Sequence, residues 1–253
     1  MALDAYVMPL WRFKAGDFTS PIEETLGIKP SVISFADLPP PTAPWYLRLL
    51  AKIGIIQFVP PPPEPTREER RTAAVQEVDA LKAQLTEMTG TRIDWPDEGV
   101  VHYNKQFHEP VTMRAFAAWH DHREELPEFT SPPEQNYYKH PVWSLPKPAK
   151  RRFPTLVEHS LHTGYLLPIP FEGNHRVEPF KIMDHWEFFH DVASSEAILR
   201  EATDFLEFLS TIPAANEAEP GPISFRDIRW YAEELQSMCR LSLEHHVPVI
   251  FYG

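Results

Sequence analysis

Cysteine is almost absent from this chain: Cys239 is the single one in 253 residues. One thiol cannot close an internal disulfide, which excludes a cross-linked secreted scaffold and fits a reducing compartment. Cys239 falls within an apolar helical pattern and reads as a small buried hydrophobe. Glycine is scarce too, with nine residues, none in a G-x-x-x-x-G-K-[ST] or G-x-G-x-x-G run, and neither G-x-S-x-G nor H-E-x-x-H occurs. Phosphate-cradling loops, a nucleophile elbow and a zincin helix are thereby excluded. No apolar run reaches the ~20 residues of a membrane helix; Leu47–Val59 comes nearest, and Arg48, Lys52 and Gln57 interrupt it. The start, M-A-L-D-A-Y, has no basic n-region or secretory h-region, so a cytoplasmic location is expected. Positive charge is also in deficit, with 24 Lys+Arg against 36 Asp+Glu and a net charge of −12. A nucleic-acid binder needs a basic footprint to neutralise phosphates. The expectation is therefore of no nucleic-acid and no membrane partner.

What the chain does have is proline, 28 residues. Each fixes φ and lowers the entropy lost on folding, so long, stiff, Pro-rich loops are expected, with Pro60–Pro65 a polyproline spacer. An apolar share of 43% with 24% charged residues is ordinary for a globular protein. The acid is unevenly spread: residues 1–65 net −1, 66–130 net −5, 131–180 net +2 and 181–253 net −8.

Alternation in Ala2–Phe13 predicts a strand closed near Pro9. Ile22–Leu26 fits a short helix, Ser31–Phe35 a strand, Ala43–Ile53 a helix capped by Thr42, and Ile55–Val59 another strand. Thr66-x-x-Glu69 is a capping box. It opens a long amphipathic helix over 66–89, with Val75, Val78, Leu81, Leu85 and Met88 as its apolar stripe and a charged first section that projects into solvent. A strand near Val100–Val101 and a helix from Thr112 to Leu126 follow. Met183–Asp191 reads as helical. Ser194 or Ser195 caps a helix with Ile198, Ala202, Phe205, Leu209 and Ile212 on one face. Pro213–Pro222 is an acidic loop, Ser224 caps a last helix to about Glu244, and Val249–Tyr252 is a final strand. Strands and helices without strict βαβ alternation predict one α+β domain over 1–253, a small mixed or antiparallel sheet packed with four to six helices. The two terminal strands are expected in one sheet.

The richest segment is Phe153–Phe171, F-P-T-L-V-E-H-S-L-H-T-G-Y-L-L-P-I-P-F. A Thr-Gly turn between apolar runs predicts a β-hairpin. Pro168 and Pro170 remove two donors from one edge, which predicts an edge strand with His159 and His162 at the rim. Those histidines raise a zinc site needing further ligands; Glu187-x-x-His190 has a di-iron spacing but lacks the second copy. No metal and no cofactor is assigned. The basic cluster Lys147, Lys150, Arg151 and Arg152 adjoins the hairpin.

Two stretches carry a family resemblance. M-A-L-D-A-Y-V-M-P-L-W-R-F-K-A-G-D-F resembles the start of an uncharacterised family of bacterial cytosolic proteins that begin M-G-L-D-x-Y-V. The hairpin resembles their H-S-D-x-x-G-Y-Y-x-P-x-D-F motif through His159, Ser160, Gly164, Tyr165, Pro168 and Phe171, with Leu161 and Pro170 where those proteins have Asp. The resemblance covers about 35 residues, and implies an accessory role such as toxin immunity.

The expectation that follows is a non-enzymatic protein-binding module, an immunity-type inhibitor of a bacterial toxin, with a basic protein partner steered by an acidic face. Its contact residues are placed at His159, Ser160, His162 and Tyr165, and at Asp184, Glu187, Asp191, Glu196, Glu201, Asp204 and Glu207, with the long helix Arg67–Glu87 as a further surface. The alternatives are a metal-dependent or small-molecule enzyme with a His-containing rim pocket at 153–171, and a structural subunit of a larger assembly.

Overall fold

A short apolar run with little alternation is the pattern of a strand buried on both faces. Gly164–Leu167 and Val249–Tyr252 are two such runs, and both lie inside the sheet. The structure, a computed structural model, describes residues 2–18, 65–98, 103–108, 111–126, 129, 140–182, 186–212 and 225–252. The elements expected at Ile22–Leu26, Ser31–Phe35, Ala43–Ile53, Ile55–Val59, residues 60–64 and Val100–Val101, the loop Pro213–Pro222 and the Ser224 cap lie outside the described residues.

In chain order the elements are β1 (Ala2–Val7), α1 (Leu10–Lys14), α2 (Arg67–Thr89), β2 (Tyr103–His108), α3 (Val111–His120), a 3₁₀ turn (Pro141–Ser144), α4 (Pro154–Glu158), β3 (Gly164–Leu167), β4 (His175–Ile182), β5 (Trp186–Ser194), α5 (Ser195–Ser210), α6 (Phe225–His245) and β6 (Val249–Tyr252). The six strands form one sheet in the order β2-β1-β6-β3-β5-β4. Among the described strands only β3 and β5 run parallel; the other pairs are antiparallel, so the sheet is mixed. This is a single α+β domain, and β1 and β6, from opposite ends of the chain, are neighbours.

Period-two alternation sends side chains to two cores. Leu166, Ala193, Val249 and Phe251 face α3, α4, α5 and α6, where Phe116, Phe153, Phe205 and Leu235 fill the layer. Tyr165, Leu167, Val192 and Ile250 face α1 and α2. The Thr66–Glu69 capping box is formed, and α2 ends at Gly90 in the left-handed region. Its buried stripe is Ala74, Val78, Leu81 and Leu85. Val75 and Met88 instead lie exposed, one position off that stripe. The helix lies along the sheet rather than standing off it.

The segment 153–171 is not a hairpin. Pro154 occupies the first position of α4, where its missing N–H costs no bond, and the chain then turns through 159–163 into β3. Nor is β3 an edge: it pairs with β5 on one side and β6 on the other. Pro168 and Pro170 follow its last residue, so they remove nothing from the ladder. Of the helix expected over Met183–Asp191, residues 183–185 lie outside the described residues and 186–191 are strand. The aromatic and β-branched run of β5 pairs with both β3 and β4, and helix begins only after Ser194, whose hydroxyl caps α5. The expected strand over Ala2–Phe13 stops at Val7, and α3 stops at His120, short of Leu126.

Candidate functional site

The residues singled out around the supposed rim form the inside of a turn. His159 is fully buried; its Nδ1 accepts the Leu161 N–H at 2.9 Å and its ring packs edge-on to Phe251. Burial holds its pKa down to about 4, with the Asp191 charge opposing and Arg114 adding to the effect. The Ser160 hydroxyl donates to the Thr163 carbonyl at 3.1 Å. His162 is half-buried, and Tyr165 is buried, stacked on His190. The histidines were expected at the sheet rim; the turn that leads from α4 into an interior strand places His159 in the core instead. Among the described residues no group of three or more His, Cys, Asp or Glu is placed to hold a metal ion.

The acidic residues separate into two sets. One set is engaged in the fold. Asp191 accepts the Ser160 N–H at 2.8 Å and an Asn174 amide hydrogen at 3.2 Å, with Arg176 at 3.5 Å. Glu201 caps α4, accepting the N–H groups of Thr155 and Leu156 at 3.1 and 2.8 Å; burial pushes its pKa up. Asp204 grips Arg152 with both oxygens, at 2.6 and 2.9 Å, and that hydrogen-bonded guanidinium pulls its pKa down. The basic cluster is engaged in the same way: Lys147 pairs with Glu158, and Arg151 lies 3.5 Å from Asp121. Asp184 lies outside the described residues, and Glu187 is on β5.

The other set is displayed. Glu196 and Glu207 on α5 and Glu233 and Glu244 on α6 are exposed and form no salt bridge among the described residues, although the Glu207 charge is felt by Arg152. The helices run antiparallel. Ser195 meets Ser242 at 2.8 Å at one end, and Gln236 donates to Thr203 at 2.8 Å further along. Glu196 is therefore level with Glu244, and Glu207 with Glu233. Each intrahelical pair is eleven residues apart, three turns on one face, or about 16 Å. Helices in contact lie about 8–10 Å apart. Four carboxylates thus mark the corners of a rectangle on the outer surface, with Arg200 and Arg240 between them. On the opposite side of the domain, Asp79 and Glu87 stand exposed on α2, with no ion pair among the described residues.

Glu233 and Glu244 were missed by sequence reasoning, which placed contact surfaces at His159, Ser160, His162 and Tyr165, among the acids of 184–207 and on the helix Arg67–Glu87. Their signal was available: the eleven-residue spacing on α5 recurs on α6.

Fold and surface together define a single-domain α+β protein that carries carboxylate-bearing helices on its outside. Residues 1–251 match the model of the family described as "Putative DNA-mimic protein", and the chain belongs to that family. Nothing among curated proteins or solved structures matches it.

Two expectations are overturned by this membership. The family's description names DNA mimicry, not the neutralisation of a toxin, so the immunity-type reading is withdrawn. The expectation that nucleic acid has no part in its interactions is corrected as well, since the description ties the family to DNA. Both errors have one physical root. A negative surface is complementary to any basic one, so net charge alone does not say which basic surface is meant.

Proposed function

We propose that this protein binds a DNA-binding protein by presenting carboxylates in place of phosphates. The observation that carries the proposal is the Glu196–Glu207–Glu233–Glu244 rectangle, set apart from the acids that hold the fold together. Phosphates along one strand of B-DNA advance about 3.4 Å per step along the helix axis, so an intrahelical pair about 16 Å apart equals the axial rise of about five steps, without following the winding of the strand. The axes of two packed helices lie about 8–10 Å apart, somewhat less than the ~12 Å width of the major groove. The display sits on two helices that share a packed core, so little ordering is needed on binding. A cytoplasmic location, where DNA-binding proteins act, belongs to this reading. No helix among the described residues is long and apolar enough to cross a membrane.

The test is competition. Immobilised protein is used to recover a partner from its host, and the bound fraction is challenged with duplex DNA. Release by duplex at concentrations that saturate the partner's own DNA site supports the proposal. A partner that holds this protein and DNA at once contradicts it.

A further inference from the structure

The outer faces of α5 and α6 carry one pattern written in opposite directions. On α5 the exposed residues run Glu196, Arg200, Thr203, Glu207; on α6 they run Glu233, Ser237, Arg240, Glu244. The steps are four, three and four residues on α5 and the same on α6, the spacing that keeps side chains on one face of a helix. The helices are antiparallel, held in register by the Ser195–Ser242 and Gln236–Thr203 contacts, so like residues fall beside like. Glu196 neighbours Glu244, Arg200 neighbours Arg240, Thr203 neighbours Ser237, and Glu207 neighbours Glu233. The four pairs share a single offset, so the surface is crossed by parallel bands, acidic, basic, hydroxyl and acidic, about 6, 4.5 and 6 Å apart along the helices.

A surface charged for solubility alone gains from mixing the signs, because like charges at neighbouring positions repel. Here each charged band sets like beside like. Glu196 stands four residues before Arg200, and Glu244 four residues after Arg240, a spacing at which helical ion pairs form; among the described residues neither pair is made. Arg152, which feels the Glu207 charge, is itself gripped by Asp204. Two guanidinium groups thus stand exposed between carboxylate bands. They weaken the pull on a uniformly basic partner, and their planar forks match a carboxylate. In DNA the space between the phosphates belongs to the base edges, and a protein meets the amino group of cytosine there with Asp or Glu.

We propose that the bands receive an α-helix of the partner that carries, on one face, basic residues about eleven positions apart and an acidic residue between them. The four-three-four repeat of the bands is that of a helix, so successive residues on the partner's face meet successive bands. The inference rests on the DNA-mimic reading of this same surface, and it narrows the partner to a protein that reads base edges with a carboxylate.

Two synthetic alanine-based helical peptides of identical composition are the probes, titrated at low salt into ¹⁵N-labelled full-length protein. Both carry a lysine pair at each end, eleven positions apart as the glutamates are. One places a glutamate between them on the lysine face, and its isomer places that glutamate on the opposite face. The parent is expected to bind the first at least threefold more tightly, with shifts at the Arg200 and Arg240 Nε–H signals. The Arg200→Gln, Arg240→Gln double variant is expected to lose that preference and to bind the isomer more tightly than the parent does, since two positive charges are gone. The Glu196→Gln, Glu207→Gln, Glu233→Gln, Glu244→Gln variant is expected to lose both peptides. Equal binding of the two isomers by the parent, or a preference that survives in the double variant, overturns the banded site; if the quadruple variant still loses both peptides, the DNA-mimic reading stands without it. A quadruple variant that binds both peptides as the parent does overturns that reading and this inference together.

Discussion

The carboxylate of Asp97 accepts the backbone N–H of Leu10 at 2.7 Å, across 87 positions of sequence. Its other oxygen takes the Trp11 N–H at 3.1 Å, and the Trp95 indole donates to the first oxygen at 3.0 Å. One buried acid thus caps α1 and fixes Trp95 beneath α2. Burial raises its pKa, and the three donors oppose that rise.

Removing this carboxylate leaves three donors without an acceptor. Asp97→Ala is expected to lower stability by about 2–4 kcal/mol, with Asp97→Asn costing less because its amide oxygen still accepts. Urea denaturation followed by tryptophan fluorescence reads both.

Gly164 opens β3 at φ +133°, and a Cβ there would stand 2.0 Å from the backbone oxygen of Asp191. The contact is with the backbone of a paired strand, which cannot swing aside. Gly164→Ala is therefore expected to break the parallel β3–β5 pairing, giving insoluble protein or a loss of more than about 3 kcal/mol. Soluble expression and circular dichroism decide.

How far the sequence could be read follows from the range of each interaction. The capping box at Thr66 and Glu69, the Ser194 cap, the buried stripe of α5 and the last strand are local patterns, and they stand where the residues place them. The supposed hairpin failed because its fate depends on distant partners. Glu201 caps α4 from 45 positions away, and β5 and β6 enclose β3 on both sides. The acidic surface was legible only as net charge. Telling Glu196, which is displayed, from Glu201, which is buried five residues later on the same helix, requires knowing what packs on α5.

Acid should weaken the fold through His159. Its pKa falls from 6.5 in the open chain to about 4 in the folded one, so between these values the unfolded state binds the additional proton. Stability from this residue is complete above about pH 6.5 and is lost as pH falls toward 4, with a slope of about one proton. His159→Asn, which can still accept the Leu161 N–H, is expected to flatten the profile of urea midpoint against pH over that window.

Cys239 is fully buried on α6, and burial pushes its thiol pKa well up. Thiol reagents are expected to leave it unmodified in native protein and to react once in denaturant. Rapid native labelling at neutral pH would contradict the packing of α6 on the sheet.

The central claim is that the displayed glutamates stand in for phosphates while the engaged acids do not. It is tested most directly by fluorescence anisotropy, in which labelled duplex is displaced from the recovered partner by this protein and by the Glu196→Gln, Glu207→Gln, Glu233→Gln, Glu244→Gln quadruple variant. The quadruple variant is expected to keep the parent's urea midpoint and to lose at least tenfold in competing strength. The parent should compete better relative to duplex as salt rises, because DNA loses affinity steeply through its condensed counterions and four separated carboxylates hold far fewer. A quadruple variant that displaces the duplex as well as the parent does would contradict the claim.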